Sequence, residues 1–129
     1  MADRVLIYDQ NRGVYGTLAE RRDRRYELAY VNSLNNAGGA LEAGDVSVLV
    51  AEVMDDRHDI VDGLNPASAM MLKAKAAGVT VVLHSDVPEA ALQSAFGVDP
   101  KSYDHFAEKS MDIDPLAKLV DQCLAERAQ

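Results

Sequence analysis

Several polar and charged residues stand directly after short apolar runs, and their types suit the binding of a cation and an anionic group. They are Asp9 and Gln10 after Val5–Tyr8, Glu52 after Val46–Ala51, His84, Ser85 and Asp86 after Val79–Leu83, and Glu108, Lys109 and Ser110 after the weaker run His105–Ala107. Carboxylates can hold a divalent cation, and a lysine can balance developing negative charge. These residues could act together only if the fold brings the ends of their runs to one place.

The apolar runs predict strands of a parallel sheet. With Leu28–Val31 they number five, and they are continuous rather than alternating, which is typical of strands covered on both faces. In a doubly wound sheet, ligands lie beyond the carboxyl ends of the strands, near the point where the strand order reverses. The residues that follow the runs are therefore expected to meet at one edge of the sheet.

Segments with helical spacing separate the predicted strands. They are a first helix from Val14 through Leu18 that ends in the basic stretch Arg21–Arg25, followed by Leu34–Glu42, Pro66–Ala77, Pro88–Phe96 and Pro115–Arg127. Asn65 and Pro66 form a typical helix start, and Gly78 is a typical stop. Strands alternating with such helices predict an α/β fold of five βα units.

Composition limits the classes of function. The chain has 129 residues, enough for one domain over residues 1–129, and its formal net charge of −8 argues against nucleic acid as a ligand. The single cysteine, Cys123, allows no disulfide within the chain, and we see no export signal and no membrane span. We therefore expect a cytoplasmic protein. The three histidines lack the spacing of a zinc site.

The residues after the first and third runs resemble the receiver domain of two-component response regulators, the CheY-like family. The resemblance covers essentially the whole chain and implies a flavodoxin-like sheet of strand order 2-1-3-4-5. Asp9 and Gln10 fall on the acidic pair that holds Mg²⁺ in the family. Glu52, within Leu49-Val50-Ala51-Glu52-Val53-Met54, falls on the aspartate that accepts a phosphoryl group from a histidine kinase.

The later part of the chain continues the resemblance. Ser85 and Phe106 fall on the family's switch residues, and Lys109 falls on its lysine. Asp62-Gly63 looks like the pair that precedes the third helix, about three residues late relative to Glu52.

Two departures from the family concern the reactive centre itself. Gln10 keeps an oxygen but loses a charge, so a Mg²⁺ site should be weak or absent, and no cofactor is expected to be required. Glu52 reaches one methylene further than aspartate, and it places a negative charge near Lys109 without any phosphate. We therefore expect that ordinary phosphorylation does not switch this chain.

A second alignment takes Asp55 as the acceptor. It restores the family's spacing to Asp62-Gly63 and to Ser85, but it would put Glu52 inside a buried strand, where an unpaired charge costs several kcal/mol. We favour Glu52 and keep Asp55 as the alternative.

The resulting hypothesis is a stand-alone, non-enzymatic, atypical receiver that acts by binding proteins. Its partner would be a histidine kinase or an effector, bound through the fourth helix, fifth strand and fifth helix, which carry output in the family. The rival hypotheses are a conventional phosphoacceptor centred on Asp55 or Glu52, and an unrelated flavodoxin-like domain that binds a small ligand. The last is disfavoured because no phosphate-cradling loop is visible.

Overall fold

The five predicted strands form one parallel sheet. The computed structural model describes residues 3–21 and 25–128, and it leaves the side chains of Asp55, Arg57 and His58 outside that description. The strands are β1 Asp3–Tyr8, β2 Tyr26–Val31, β3 Val48–Ala51, β4 Thr80–Ser85 and β5 His105–Glu108. Their order is β2-β1-β3-β4-β5 with every pair parallel, which confirms the predicted fold class and strand order.

Helices cover both faces of this sheet. They are α1 Gly16–Ala19, α2 Leu34–Glu42, α3 Pro66–Ala76, α4 Glu89–Ala95 and α5 Asp114–Arg127. Buried residues of α2, α3 and α4 pack in one apolar cluster, and those of α1 and α5 pack in a second. Because both faces are covered, the inner strands are mainly apolar, and β3 is apolar and buried at all four positions. No helix in the described ranges is both long enough and apolar enough to span a bilayer.

The first helix differs from its prediction. A 3-10 turn, Arg12–Tyr15, leads directly into α1, which ends at Ala19 rather than in the basic stretch. Gly13 and Gly16 lower the helix propensity of this segment, so only one turn becomes α-helical. Of the basic stretch Arg21–Arg25, residues 22–24 lie outside the described part, and Arg21 pairs with Asp114 at 2.6 Å.

The connection from β3 to α3 is held by Asn65 and Gly97. The Asn65 side chain accepts a hydrogen bond from the Ala67 N–H at 2.9 Å, which confirms the predicted cap of α3. Its amide also donates to the carbonyls of Val53 and Phe96. Gly97 has a φ of +70°, and a Cβ built there would lie 2.7 Å from the carbonyl oxygen of Gly63. The backbone therefore approaches too closely at this point for any other residue.

Candidate functional site at the carboxyl edge of the sheet

Backbone hydrogen bonds extend the sheet by one residue past three of its strands. The N–H of Glu52 donates to the carbonyl of Tyr8 at 2.9 Å, and the N–H of Lys109 donates to that of Ser85 at 2.8 Å. Asp9 donates in the same way to Val31 at 3.3 Å. These bonds fix where Asp9, Glu52 and Lys109 leave the sheet. The three side chains consequently start from the carboxyl edge of the sheet. Asp9 and Glu52 follow the neighbouring strands β1 and β3, between which the strand order reverses, and Lys109 follows β5.

Asp9 is the centre of a buried network. Its side chain is 2% exposed, and its Oδ2 accepts from the ammonium of Lys109 and from the hydroxyl of Tyr15, each at 2.7 Å. The Oδ1 atom accepts from the N–H of Asn11 at 2.9 Å. The Tyr30 hydroxyl donates to the backbone carbonyl of Asp9. A buried carboxylate needs such donors and a counter-charge, and here protein groups supply all of them.

His84 extends this network away from Asp9. Its Nδ1 lies 2.9 Å from the Tyr15 hydroxyl oxygen, and its ring is 2% exposed. Burial, together with the nearby positive charge of Lys109, lowers the pKa of His84 to about 4, so the imidazole is neutral at pH 7. Burial and the Asp9 carboxylate raise the pKa of Tyr15 well above its usual value. The Tyr15 hydroxyl uses its one hydrogen in the hydrogen bond to Asp9. The contact with His84 therefore requires that the Nδ1 of His84 carries a hydrogen and donates it to the Tyr15 oxygen.

Glu52 is buried with one carboxylate oxygen unsatisfied. It is 5% exposed, and its Oε1 accepts from the Ser85 hydroxyl at 3.2 Å. Its Oε2 has no hydrogen-bond partner among the described residues. Burial raises the pKa of Glu52 to about 7, although Lys109 and the Ser85 hydrogen bond act in the opposite direction. Glu52 is therefore a partly protonated acid near neutral pH rather than a fixed charge.

The ion pair of Lys109 decides which of the two buried acids has a counter-charge. Its ammonium pairs with Asp9, which is more deeply buried, and not with Glu52. The Asp9 carboxylate is the more enclosed of the two acids, so a counter-charge stabilises it more. The lysine affects Glu52 only through its nearby positive charge, which acts to lower the pKa of Glu52.

Comparison with known structures identifies the fold that surrounds this site. No protein-family model matches the sequence, and no curated protein matches it. A signal receiver domain of an HD domain-containing protein from Pseudomonas fluorescens is 14% identical with a TM-score of 0.75, over 98% of this chain and 90% of that one. A two-component response regulator from Clostridium difficile is 15% identical with a TM-score of 0.71, over 98% and 99%.

A third similar chain comes from a crystal structure of a histidine kinase in complex with a response regulator protein. It is 15% identical with a TM-score of 0.68, over 95% of this chain and 98% of that one. This chain has the fold of a response-regulator receiver domain. At such identities the likeness shows the fold, so the roles of individual residues rest on the geometry of this site.

The receiver fold raises the question of Mg²⁺, and the residues present do not fit such a site. The Gln10 side chain is exposed and donates to the carbonyl of Asn32 at 2.6 Å. Both carboxylate oxygens of Asp9 already accept protein hydrogen bonds, one of them from a lysine. No group of three acidic, histidine or cysteine residues in the described ranges is arranged to hold a metal. Mg²⁺ needs several oxygens free to face it, and these side chains do not offer them.

The remaining sequence-predicted residues surround this edge. Phe106 is half-buried in β5 and packs against the cluster of α2, α3 and α4. Ser85 ends β4 and, besides its bond to Glu52, accepts from the N–H of Val87 at 3.1 Å. Asp55 lies in a 3-10 turn, Met54–Asp59, beyond the end of β3, and its side chain lies outside the description.

Two residues of the network, Tyr15 and Tyr30, were not among the sequence-predicted site residues, and His84 was identified only as a polar residue at the end of its run. Tyr15 comes from the 3-10 turn before α1, Tyr30 from β2 and His84 from β4. One signal pointed to His84, which is a polar ring within an otherwise apolar run and directly precedes Ser85. Tyrosines near the ends of strands are too common to indicate a site.

Proposed function

We propose that this chain is a receiver-like signalling module that works through protein binding without accepting a phosphoryl group. The observation that carries the proposal is the state of the would-be acceptor. Glu52 is buried and bonded to Ser85, while Lys109 is paired with Asp9. A phosphoacceptor site needs an ionised nucleophile and free positive charge, whereas here Glu52 is only partly ionised near pH 7 and Lys109 is already paired.

The chemistry of transfer explains why these contacts matter. A carboxylate attacks phosphorus only when it is ionised and in line, and the charge that develops must be neutralised by a cation. The raised pKa of Glu52 leaves a large fraction of it protonated near pH 7. Engaging Lys109 would require breaking its 2.7 Å pair with Asp9 and leaving that carboxylate without its counter-charge. We accordingly propose that Mg²⁺ binds weakly and is not required.

The proposed partner is a signalling protein, either a histidine kinase or an effector. A similar chain belongs to a complex of a histidine kinase with a response regulator protein, which supports this class of partner. The interface that we propose is the face made by α4, β5 and α5. With a formal net charge of −8, the chain would favour a partner with a basic surface. We propose that it performs no catalysis of its own.

The test uses a small phosphodonor, acetyl phosphate with Mg²⁺, followed by intact-protein mass spectrometry. Wild-type protein should remain unmodified. The double variant Glu52→Asp with Gln10→Asp reverses both departures and should gain an adduct that hydroxylamine removes. Glu108→Asp with Gln122→Asp makes the same chemical changes at exposed positions and should stay unmodified. A stoichiometric adduct on wild-type Glu52 would refute the proposal.

The second candidate function is a conventional phosphoacceptor that uses Asp55. It is favoured by the spacing from Asp55 to Asp62-Gly63 and to Ser85. The same experiment separates it from the first, because an adduct on Asp55 can be located by fragmentation and should disappear in Asp55→Asn.

A further inference from the structure

A hollow beside the Asp9 network is built like a small ligand site. It has a volume of about 210 Å³ and lies between β1, β2 and α1. Its apolar lining comes from Ile7, Leu28 and Ala19, and its polar lining comes from Arg12, Tyr15 and Tyr30. An apolar wall with a few convergent polar groups is the usual composition of a ligand pocket, and drug-sized ligands take about 300–1,000 Å³. This smaller space suits a compound with a single ring.

Arg12 gives the hollow its charge preference. Its guanidinium is exposed and lies 5.3 Å from the centre of the Tyr30 ring. It forms no ion pair within the described ranges, although acidic residues outnumber basic ones by 21 to 13 in the chain. A guanidinium held against a ring presents its planar face to the tyrosine and its N–H groups to a carboxylate. Arg12 therefore favours an anionic ligand, and a carboxylate is the smaller of the two anions that a guanidinium binds with paired hydrogen bonds.

The hollow is connected to Asp9 through its two tyrosines. Tyr15 donates to the Asp9 carboxylate and Tyr30 donates to its backbone carbonyl. A ligand that packs on either ring changes the position of a hydroxyl that holds Asp9. Such coupling requires only that the ligand favours one arrangement of the two tyrosines over another.

We propose that this hollow binds a small aromatic carboxylate, and that binding is sensed at Asp9 through Tyr15 and Tyr30. The sensing role rests on the proposed function, because a receiver that is not phosphorylated needs another input. The binding itself does not depend on it.

The experiment is an NMR titration with benzoate, using protein labelled at the tyrosine rings, the arginine side chains and the aspartate carboxyl carbons. The resonances of Arg12, Tyr15 and Tyr30 should shift together, with a dissociation constant of order 1 mM for so small a ligand. The Asp9 carboxyl carbon should shift with the same dissociation constant. Benzyl alcohol has the ring without the charge and should bind at least fivefold more weakly.

Two variants locate the site. Arg12→Gln should weaken benzoate binding about tenfold, whereas Lys118→Gln removes one exposed positive charge from α5 and should leave it unchanged. A Cβ at Gly16 meets no atom within 4 Å, and its backbone is helical, so Gly16→Leu should fill the hollow and abolish binding.

Three results would overturn the inference: no shift with 10 mM benzoate, equal affinity in Arg12→Gln, or equal affinity in Gly16→Leu. An unshifted Asp9 resonance in protein that binds benzoate would remove the sensing step. None of these results alters the phosphodonor experiment, which is measured separately, so failure of this inference and failure of the proposed function remain distinguishable.

Discussion

Replacing Glu52 by glutamine removes a buried charge while keeping the size of the side chain. The carbonyl oxygen of glutamine can still accept the hydrogen bond from Ser85. What changes is the ionisation, because burial has raised the pKa of Glu52 to about 7 from its ordinary value of 4.5. The free energy of unfolding should therefore depend on pH differently in the two proteins.

The sign and size follow from linkage. Between pH 4.5 and about 7 the unfolded chain has lost the Glu52 proton while the folded chain still holds it, so the wild-type protein loses stability as pH rises. At about 1.4 kcal/mol per pH unit, the loss reaches about 3 kcal/mol by pH 7. Glutamine does not ionise, so the Glu52→Gln variant does not lose this stability as the pH rises. It should be about 1–3 kcal/mol more stable than wild type at pH 8, the lower figure allowing for an unsatisfied amide.

In the wild-type protein, the titration of His84 offsets the pH dependence of stability that comes from Glu52. The pKa of His84 is lowered to about 4 by burial, so its contribution to stability is present above pH 6.5 and is lost as pH falls toward 4. The two slopes are opposite and of similar size between pH 4.5 and 6.5. The wild-type protein should therefore show little pH dependence from this pair, whereas Glu52→Gln should lose up to about 3 kcal/mol on acidification.

The assay is urea denaturation followed by circular dichroism from pH 4.5 to 8.5. The informative quantity is the difference in unfolding free energy between variant and wild type, since contributions common to both proteins cancel. Glu108→Gln makes the same chemical change at an exposed site and should differ from wild type by less than about 0.5 kcal/mol throughout. A difference for Glu52→Gln that stays constant with pH would show that burial does not raise the pKa of Glu52, and it would refute the reasoning.

Three further predictions concern the network and the turn that supports it. The His84 imidazole should stay neutral at pH 5 with its proton on Nδ1, as read from its ¹⁵N shifts; a protonated ring at that pH would contradict its burial. Tyr15→Phe should cost about 1–3 kcal/mol in urea denaturation, more than Tyr30→Phe, because Tyr15 is the more buried hydroxyl; equal costs would argue against the network. Gly97→Ala should destabilise the protein by at least 1–3 kcal/mol through backbone strain. Gly39→Ala, where a Cβ meets nothing within 4 Å, should instead stabilise α2 by about 0.5–1 kcal/mol, and a stable Gly97→Ala would refute the close approach.

The strands were predictable because burial dictates their composition. Even the weak run His105–Ala107 proved to be a strand, since the regular βα alternation required a fifth one to pair with β4. Strand ends were less predictable: His84 and Ser85 belong to β4 rather than following it, and β3 begins at Val48 rather than Val46. These differences follow from backbone pairing, which apolar composition does not encode.

The neighbourhood of the site followed from topology, but its contacts did not. Parallel strands bring Asp9, Glu52 and Lys109 to one edge whatever their side chains do. Which acid the lysine pairs with depends on the reach of the side chains and on their relative burial. The bond between Tyr15 and His84 joins residues 69 positions apart, and no local pattern predicts it.

The central claim is that the end of β3 does not accept a phosphoryl group, and beryllofluoride tests it most directly. This anion mimics a carboxylate-bound phosphoryl group at equilibrium, so a slow transfer step cannot hide binding. The measurement is ¹⁹F NMR of the protein with beryllofluoride and Mg²⁺, with Glu52→Asp, Gln10→Asp as the positive control. We predict no bound ¹⁹F resonance for wild type and one for the double variant. A bound resonance in wild type that is lost in Glu52→Gln would contradict the account.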